Sequence, residues 1–245
     1  MLYDTYTVFW REMVLLRKKF KSFFAGSMVS PLLYLLSFGW GLGRNIQLDS
    51  TSYLDFVVPG IVALSAMNAS YSGTGTSLNV SRLYYKTLEE FLVAPISVVS
   101  LVLGNVFSGC FRGLFSAGLI IIFSCFFGAN LCLGGWFFVS LLLTCFVFAT
   151  LGLVAAMVVS SHEGMSRFGT FVILPMTFLC GTFFKVESYP GAIAWFVKML
   201  PLTHASISLR ALAMNAEFPL VSLLVMTAYA LILFILGVWV TYRVE

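Results

Sequence analysis

Charged side chains are scarce in this sequence: Asp, Glu, Lys and Arg make up only 10% of the 245 residues. About a quarter of the residues in a soluble domain are charged, so the sequence is not that of a soluble domain. Histidine occurs only twice, and the five cysteines lack the spacing of a zinc site, so we interpret them as small buried hydrophobic residues. A phosphate-binding glycine loop followed by Lys-Ser or Lys-Thr is also missing, since Gly73-Thr-Gly-Thr76 has no lysine. We therefore expect no catalytic residue, metal or cofactor in this chain, and no nucleic-acid partner.

Apolar residues dominate instead, at 60% of the chain with a mean hydropathy of +0.99. The apolar runs are long and continuous rather than alternating, which favours helices over an outer-membrane barrel. At about 20 residues per span, six spans and short connections use up nearly the whole chain. We predict an all-α polytopic membrane protein with a single transmembrane domain over residues 1–245. The charged start of the chain lacks a cleavage site, so we expect no cleaved signal peptide.

The six predicted spans are about 23–43, 53–80, 98–127, 136–160, 168–184 and 220–240, with a short loop predicted at 161–167. This arrangement places nine Lys and Arg residues on one side, four on the other and Arg112 within the membrane, which accounts for all 14. The positive-inside rule then puts both termini in the cytoplasm. The nine are Arg11, Arg17, Lys18, Lys19, Lys21, Arg82, Lys86, Arg167 and Arg243.

Two segments outside the spans also have an apolar pattern. Residues 1–22 predict an interfacial helix that lies along the membrane. Residues 185–219 contain two apolar pieces, 192–200 and 205–214, which are too short to span and predict a re-entrant or interfacial helical pair on the external side. The residues predicted to share the apolar face of the first segment are Tyr6, Phe9, Trp10, Met13, Leu16 and Phe20.

A stripe of polar side chains runs along the second span at three- and four-residue spacing. Its members are Ser65, Asn68, Ser72, Thr76 and Asn79. Small polar residues serve for tight helix packing in membranes, but they also line wet paths. The pattern alone leaves both interpretations open, and an interface that borders a path would satisfy both.

Arg112 lies near the middle of the third predicted span. An arginine at this depth costs a few kcal/mol even on insertion scales, so we expect it to face the helix bundle. A structural or conformational role is favoured over contact with a transported molecule. The sequence offers no obvious acidic residue at a comparable depth to balance its charge.

Residues 81–97 form the most polar segment between spans and predict a short amphipathic helix that ends near Pro95. Tyr84, Tyr85, Leu88, Phe91 and Leu92 fall on one side of this helix. Arg82, Lys86, Glu89 and Glu90 fall on the other side. The pattern indicates a helix at the membrane surface that offers its charged edge to a partner, or a solvated helix with no partner.

Several blocks resemble conserved motifs of type 2 ABC exporter (ABC-2) permeases, in particular those of the drug-, antibiotic- and nodulation-factor-exporter branch. The resemblance extends over nearly the whole chain, and the combination of blocks is more specific than any one of them. These blocks are 55–60 (DFVVPG), 86–95 (KTLEEFLVAP), 111–115 (FRGLF), 175–184 (ending in CGTFF), 201–204 (PLTH) and 210–212 (RAL).

The resemblance implies that the chain is a permease subunit of the cytoplasmic (inner) membrane, surrounded by membrane lipid and not itself an enzyme. It would pair with a second permease copy, as a homodimer, and with two copies of a separate ATPase that hold ATP and Mg. The second and fifth spans would border the dimer axis and the substrate path. Residues 81–97 would be the coupling helix that docks on the ATPase through Arg82, Tyr84, Lys86, Leu88, Glu89, Glu90 and Phe91.

The cargo implied is an amphipathic, drug-like or lipid-like molecule. An exporter of lipid-linked polysaccharide or O-antigen is the alternative within the family, but the second span offers small polar residues where a glycan channel needs aromatic rings. The membrane anchor of an enzyme complex is a more distant alternative, since the two histidines, His162 and His204, both lie in connecting segments.

Overall fold

The computed structural model describes residues 1–42, 47–48, 51–87, 91, 96–129, 131–183 and 190–244, with only the backbone at 38–40, 42, 47–48, 51–52 and 244. Apart from a two-residue antiparallel pair of strands, β1 (Gln47–Leu48) and β2 (Thr51–Ser52), the regular structure of these residues is helical. The helices are α1 (Leu2–Lys18), α2 (Phe20–Tyr34, continued as a π-helix over Leu35–Leu42), α3 (Tyr53–Leu83), α4 (Val98–Phe126), α5 (Gly135–Val158), α6 (His162–Phe168, followed by a π-helix over Gly169–Ile173), α7 (Leu174–Leu179), α8 (Gly191–Met199), α9 (Pro201–Ala213) and α10 (Leu220–Val244).

Four helices in the described ranges are long and apolar enough to cross a membrane: α3, α4, α5 and α10. The pair α8 and α9 is bent by 85° and raises the number to five if it counts as one broken span. The all-α membrane class is therefore confirmed, but the count of six spans is not. The predicted first and fifth spans are divided by their π-helical segments, so no single α-helix there has the required length.

Helix α3 forms the centre of the bundle, with 83% of its apolar window buried, whereas α10 lies at the periphery with 22%. Small residues allow this close packing. A Cβ built on Gly75 would lie 2.9 Å from the carbonyl oxygen of Gly152 in α5, and one built on Gly60 would lie 2.6 Å from that of Thr182. At Gly60 and Gly75 the α3 backbone therefore lies closer to its neighbours than a residue larger than glycine would permit.

Helix α1 packs lengthwise on α4 rather than standing apart from it. The Met1 carbonyl accepts a hydrogen bond from Ser100 Oγ at 3.2 Å, and Val8 lies against Gly104, where a Cβ would be 2.6 Å from that of Val8. The face that α1 buries consists of Thr5, Val8, Glu12 and Leu16, and only Leu16 of these belongs to the predicted apolar face. Of the predicted apolar face, Tyr6, Trp10 and Phe20 are exposed, as expected of side chains that meet lipid.

Two connecting segments differ from their predictions. Helix α3 continues to Leu83, so the predicted coupling helix does not begin at Ser81; the chain turns through Tyr84 and Tyr85 to Lys86, which has a positive φ of 52°. The predicted loop 161–167 is mostly helix, because Ser161 Oγ caps α6 by accepting a hydrogen bond from the Gly164 amide at 3.0 Å.

The two short apolar pieces after the fifth predicted span are indeed helices, α8 and α9, which meet at Leu200. Helix α9 lies inside the bundle, where Ser208 Oγ is 2.7 Å from Ser140 Oγ of α5. Its placement on the external side remains a prediction. Among the cysteines, Cys110, Cys145 and Cys180 are buried as expected, but Cys125 and Cys132 are exposed and were wrongly interpreted as buried.

Candidate functional site: a buried charge network beside an open polar groove

Arg112 has a partner that the sequence did not reveal. Its Nη2 lies 3.2 Å from Oε2 of Glu12, which α1 carries into the bundle, and both side chains are almost fully buried. Our expectation that no acidic residue reaches this depth was therefore wrong. The spacing of Thr5, Val8, Glu12 and Leu16 was the available signal, because it places a carboxylate in the middle of a stripe that α1 buries.

The pair also joins α3, since Arg112 Nη1 donates a hydrogen bond to the Gly73 carbonyl at 2.6 Å and Ser77 Oγ lies 3.3 Å from Glu12 Oε2. Gly73 makes room for the arginine, since a Cβ there would be 2.7 Å from Arg112 Cδ. One ion pair thus ties three helices together. We name Arg11, Glu12, Gly73, Ser77 and Arg112 the charge network.

The charge network extends to the predicted coupling segment. The Arg11 guanidinium lies 3.4 Å from Glu12 Oε1 and also stacks over the Phe91 ring, with its carbon 4.8 Å from the ring centroid. Phe91, which is half-buried against the core, therefore connects residues 81–97 to α1. The structure also describes three other predicted coupling residues, which are Arg82, Tyr84 and Lys86.

Arg82 Nη1 donates hydrogen bonds to the carbonyls of Ala156, at 3.1 Å, and Met157. These carbonyls are in the last turn of α5, where a cation is favoured by the helix dipole. Tyr84 and Lys86 are exposed. The predicted coupling residues Leu88, Glu89 and Glu90 lie outside the described residues.

The polar stripe of α3 divides into an open part and a buried part. Asn68, Ser72 and Thr76 are exposed and line a groove of about 450 Å³ between α3 and the segment from α6 to α7. A second groove of about 450 Å³ lies between α3 and α2, and Ser65, Asn68 and Ser72 line it together with residues such as Ser30. The exposed polar edge of α3 is thus shared by two grooves.

The two ends of the stripe are buried. The Ser65 hydroxyl donates to the Ile61 carbonyl of its own helix at 2.7 Å, as packing requires. Asn79 is fully buried, lines neither groove, and neither of its side-chain amide atoms has a hydrogen-bond partner among the described residues. The structure therefore brings together four of the five predicted path residues and separates Asn79 from them.

We expect Asn79→Leu to stabilise the protein by about 1–3 kcal/mol, because it replaces an unsatisfied buried amide with an apolar group of similar size. Thermal unfolding of the purified protein in detergent measures the effect. Asn68→Leu is the matched control, since Asn68 is exposed and should give no such gain. A lower melting temperature for Asn79→Leu would mean that the amide has a partner.

A second arginine holds the opposite end of α3. Arg210 of α9 donates to the carbonyls of Phe56, at 3.0 Å, and Gly181, at 2.7 Å, and its guanidinium carbon lies 3.7 Å from the centroid of the Phe56 ring. Gly181 has a positive φ of 72°, which favours glycine. The blocks at 55–60, 175–184 and 210–212 therefore meet at one end of the bundle.

Comparison with known sequences identifies the class of protein to which this architecture belongs. The family model of the ABC-2 type transporter matches residues 3–214. The chain belongs to the ABC-2 type transporter family. This membership confirms the resemblance seen in the sequence blocks. ABC-2 permeases normally pair with an ABC ATPase.

Individual relatives cover different shares of this ABC-2 chain. It is 31% identical over 166 residues to the inner membrane transport permease YadH of Escherichia coli (strain K12), a match that covers 66% of this chain but only 64% of YadH, which is less than two thirds. Nodulation protein J of Rhizobium meliloti (strain 1021) is 30% identical over 240 residues, which is 93% of this chain and 89% of that protein. Nodulation protein J of Bradyrhizobium diazoefficiens is 28% identical over 207 residues, with 82% of this chain and 78% of that protein covered.

Proposed function

We propose that this ABC-2 chain is the permease subunit of an ATP-driven exporter in the inner membrane, which moves an amphipathic, drug-like or lipid-like cargo out of the cytoplasm or the inner leaflet. Two ATPase subunits, which hold ATP and Mg, and a second copy of this chain complete the exporter. The chain has six spans and both termini in the cytoplasm. The observation that carries the proposal is the charge network, because it connects Phe91 to the helix that bears the polar groove.

The steps of coupling follow from these contacts. Closure of the ATPase dimer pushes residues 81–97, and the displacement reaches α1 through the Phe91–Arg11 stack. The Glu12–Arg112 pair carries it to α4, and the hydrogen bond from Arg112 to Gly73 carries it to α3. Since Ser72 lies one residue before Gly73, the groove walls move with that part of α3.

The groove dimensions support a small cargo. Each groove measures about 450 Å³, within the range of about 300–1,000 Å³ that drug-sized ligands occupy. Side chains with small hydroxyl groups make up much of their lining, which suits the polar part of an amphipathic molecule. The alternative, a lipid-linked polysaccharide, is favoured by the aromatic residues Phe23 and Tyr34 in the groove beside α2.

Substitution of Glu89 and Glu90 by Ala or Lys tests the assigned coupling role. We expect ATPase binding to weaken about tenfold and cargo-stimulated ATP hydrolysis to fall with it, because a charged interface loses its complementary groups. Both are measured on the permease and ATPase reconstituted in proteoliposomes. Glu163→Lys is the matched control, since Glu163 is an exposed acid outside residues 81–97. Normal coupling in the Glu89 and Glu90 variants would refute the role.

A further inference from the structure

A larger cavity, of about 630 Å³, lies between α1, the start of α2 and the C-terminal half of α3. Arg11, Lys19 and Arg112 line it, and none of the described residues that line it is acidic. Glu12 offsets one of these charges through its contacts with both arginines, so three cations and one carboxylate leave a net charge of +2. The apolar part of the wall includes Leu15, Leu16, Phe23, Val80 and Tyr85. The cavity therefore suits a molecule with both a negative group and an apolar part.

Arg112 lines this cavity and carries a buried donor that has no partner among the described residues. Its side chain is nine-tenths buried, Nη1 donates to Gly73 and Nη2 pairs with Glu12, but Nε has no partner among the described residues. Buried polar groups in proteins are nearly always hydrogen-bonded, so an orphaned donor beside a cationic cavity points to an acceptor supplied from outside the chain. An oxygen of an anionic group meets this need.

The surroundings indicate that the anion belongs to a lipid. Helix α1 exposes Tyr6 and Trp10, each at 57%, together with Val14, as a helix at a membrane surface does. A free phosphate would leave the apolar wall of the cavity in contact with water, whereas acyl chains would cover it. Lys19 is exposed and adds a cation close to the turn between α1 and α2, where a headgroup can be reached.

We infer that this cavity binds an acidic phospholipid from the membrane surface on which α1 lies. The phosphate lies among Arg11, Lys19 and Arg112, and the acyl chains run along Leu15 and Phe23. Because the same arginines form the charge network, the bound lipid stabilises the contact between α1 and the bundle. The lipid is a membrane component and not the cargo, although its cavity borders the grooves and shares Ser72 and Thr76 with the groove beside α6 and α7.

The test measures lipid binding to the full chain in detergent by native mass spectrometry, without ATPase or cargo. Phosphatidylglycerol should bind more tightly than phosphatidylcholine with the same acyl chains, and inorganic phosphate should bind much more weakly than either because it has no apolar part. Lys19→Gln should weaken phosphatidylglycerol binding about fivefold, the effect of one cation near a charged headgroup. Lys18→Gln is the matched control, since Lys18 is also exposed but does not line the cavity.

Three results would overturn the inference. Equal binding of both phospholipids would mean that the headgroup charge contributes nothing to affinity. An equal loss of phosphatidylglycerol affinity in Lys18→Gln and Lys19→Gln would indicate diffuse attraction to the basic surface. Phosphate that binds as tightly as the phospholipid would indicate a simple anion site. Since the assay contains no ATPase, each of these failures leaves the proposed export function untouched.

Discussion

Glu12→Ala is expected to destabilise the protein by about 3–5 kcal/mol, because it leaves the Arg112 charge buried without its counter-charge. Only 5% of the Glu12 side chain and 10% of the Arg112 side chain are exposed, so solvent cannot replace the lost carboxylate. The free energy of unfolding, measured by denaturant titration in mixed micelles, gives the size of the effect. In the proposed exporter, coupling to the ATPase should be lost in the same variant.

Two further variants show whether the pair itself is responsible. Glu12→Ala combined with Arg112→Met should recover most of the stability, since the double variant buries no unpaired charge. Glu163→Ala is the control, because the Glu163–Arg167 pair has a similar distance of 3.3 Å but is largely exposed, and such pairs contribute about 0–1 kcal/mol. The interpretation fails if Glu12→Ala unfolds like the wild type, or if the double variant is no more stable than Glu12→Ala.

Gly113→Leu should prevent α3, α4 and α5 from packing and should cost more than about 3 kcal/mol. A Cβ on Gly113 would overlap Ser70 Oγ and lie 2.8 Å from Cys145 Sγ and 3.1 Å from the Ala66 carbonyl oxygen. Two of these obstacles belong to α3 and one to α5, and a backbone carbonyl cannot move aside. We expect the variant to give little monodisperse protein on size-exclusion chromatography after extraction from the membrane.

Gly118→Leu provides the comparison within the same helix. No atom lies within 4 Å of a Cβ built on Gly118, so the added side chain meets open space. Since leucine favours helix by nearly 1 kcal/mol relative to glycine, this variant should be at least as stable as the wild type. Equal loss of folded protein in both variants would mean that the helix, and not its packing, is sensitive to substitution.

The sequence was sufficient for the features that depend on composition and local pattern. Long apolar runs predict α3, α4, α5 and α10, and the short pieces around Pro201 predict the bent pair α8 and α9. These helices can be predicted without information on neighbouring helices, because a membrane requires every backbone polar group to be satisfied within its own helix. Family membership was likewise readable from the blocks near Pro59, Arg112 and Arg210.

What the sequence could not supply is which face of a helix meets protein and which meets lipid. Both are apolar, so the aromatic face of α1 around Trp10 was taken as the main feature, while Val8 and Glu12 proved to be the packed side. The partner of Arg112 is 100 residues away in the chain, a separation over which helical periodicity carries no information. The split between buried Asn79 and exposed Asn68 has the same origin.

The span count shows a further limit, which concerns helix continuity. Apolar length alone suggests unbroken helices at 23–43 and 168–184, yet both contain π-helical turns. The apolar pattern does not distinguish such turns from a continuous α-helix. The prediction for residues 81–97 was wrong for a different reason, because α3 continues past the expected boundary at Ser81 to Leu83.

The length of α3 has a thermodynamic consequence for any transporter built on this chain. Its 31 residues extend for about 45 Å as one α-helix, with Arg210 at one end, the groove along its middle and the turn to residues 81–97 at the other. A ligand that binds more tightly to one position of this helix changes the affinity of any other site along it that also prefers one position. The effect is reciprocal, since each ligand changes the affinity of the other by the same factor. In the proposed exporter, cargo in the groove should therefore change the affinity of the ATPase for nucleotide as much as nucleotide changes the affinity for cargo. A tenfold effect in either direction corresponds to a coupling free energy of about 1.4 kcal/mol.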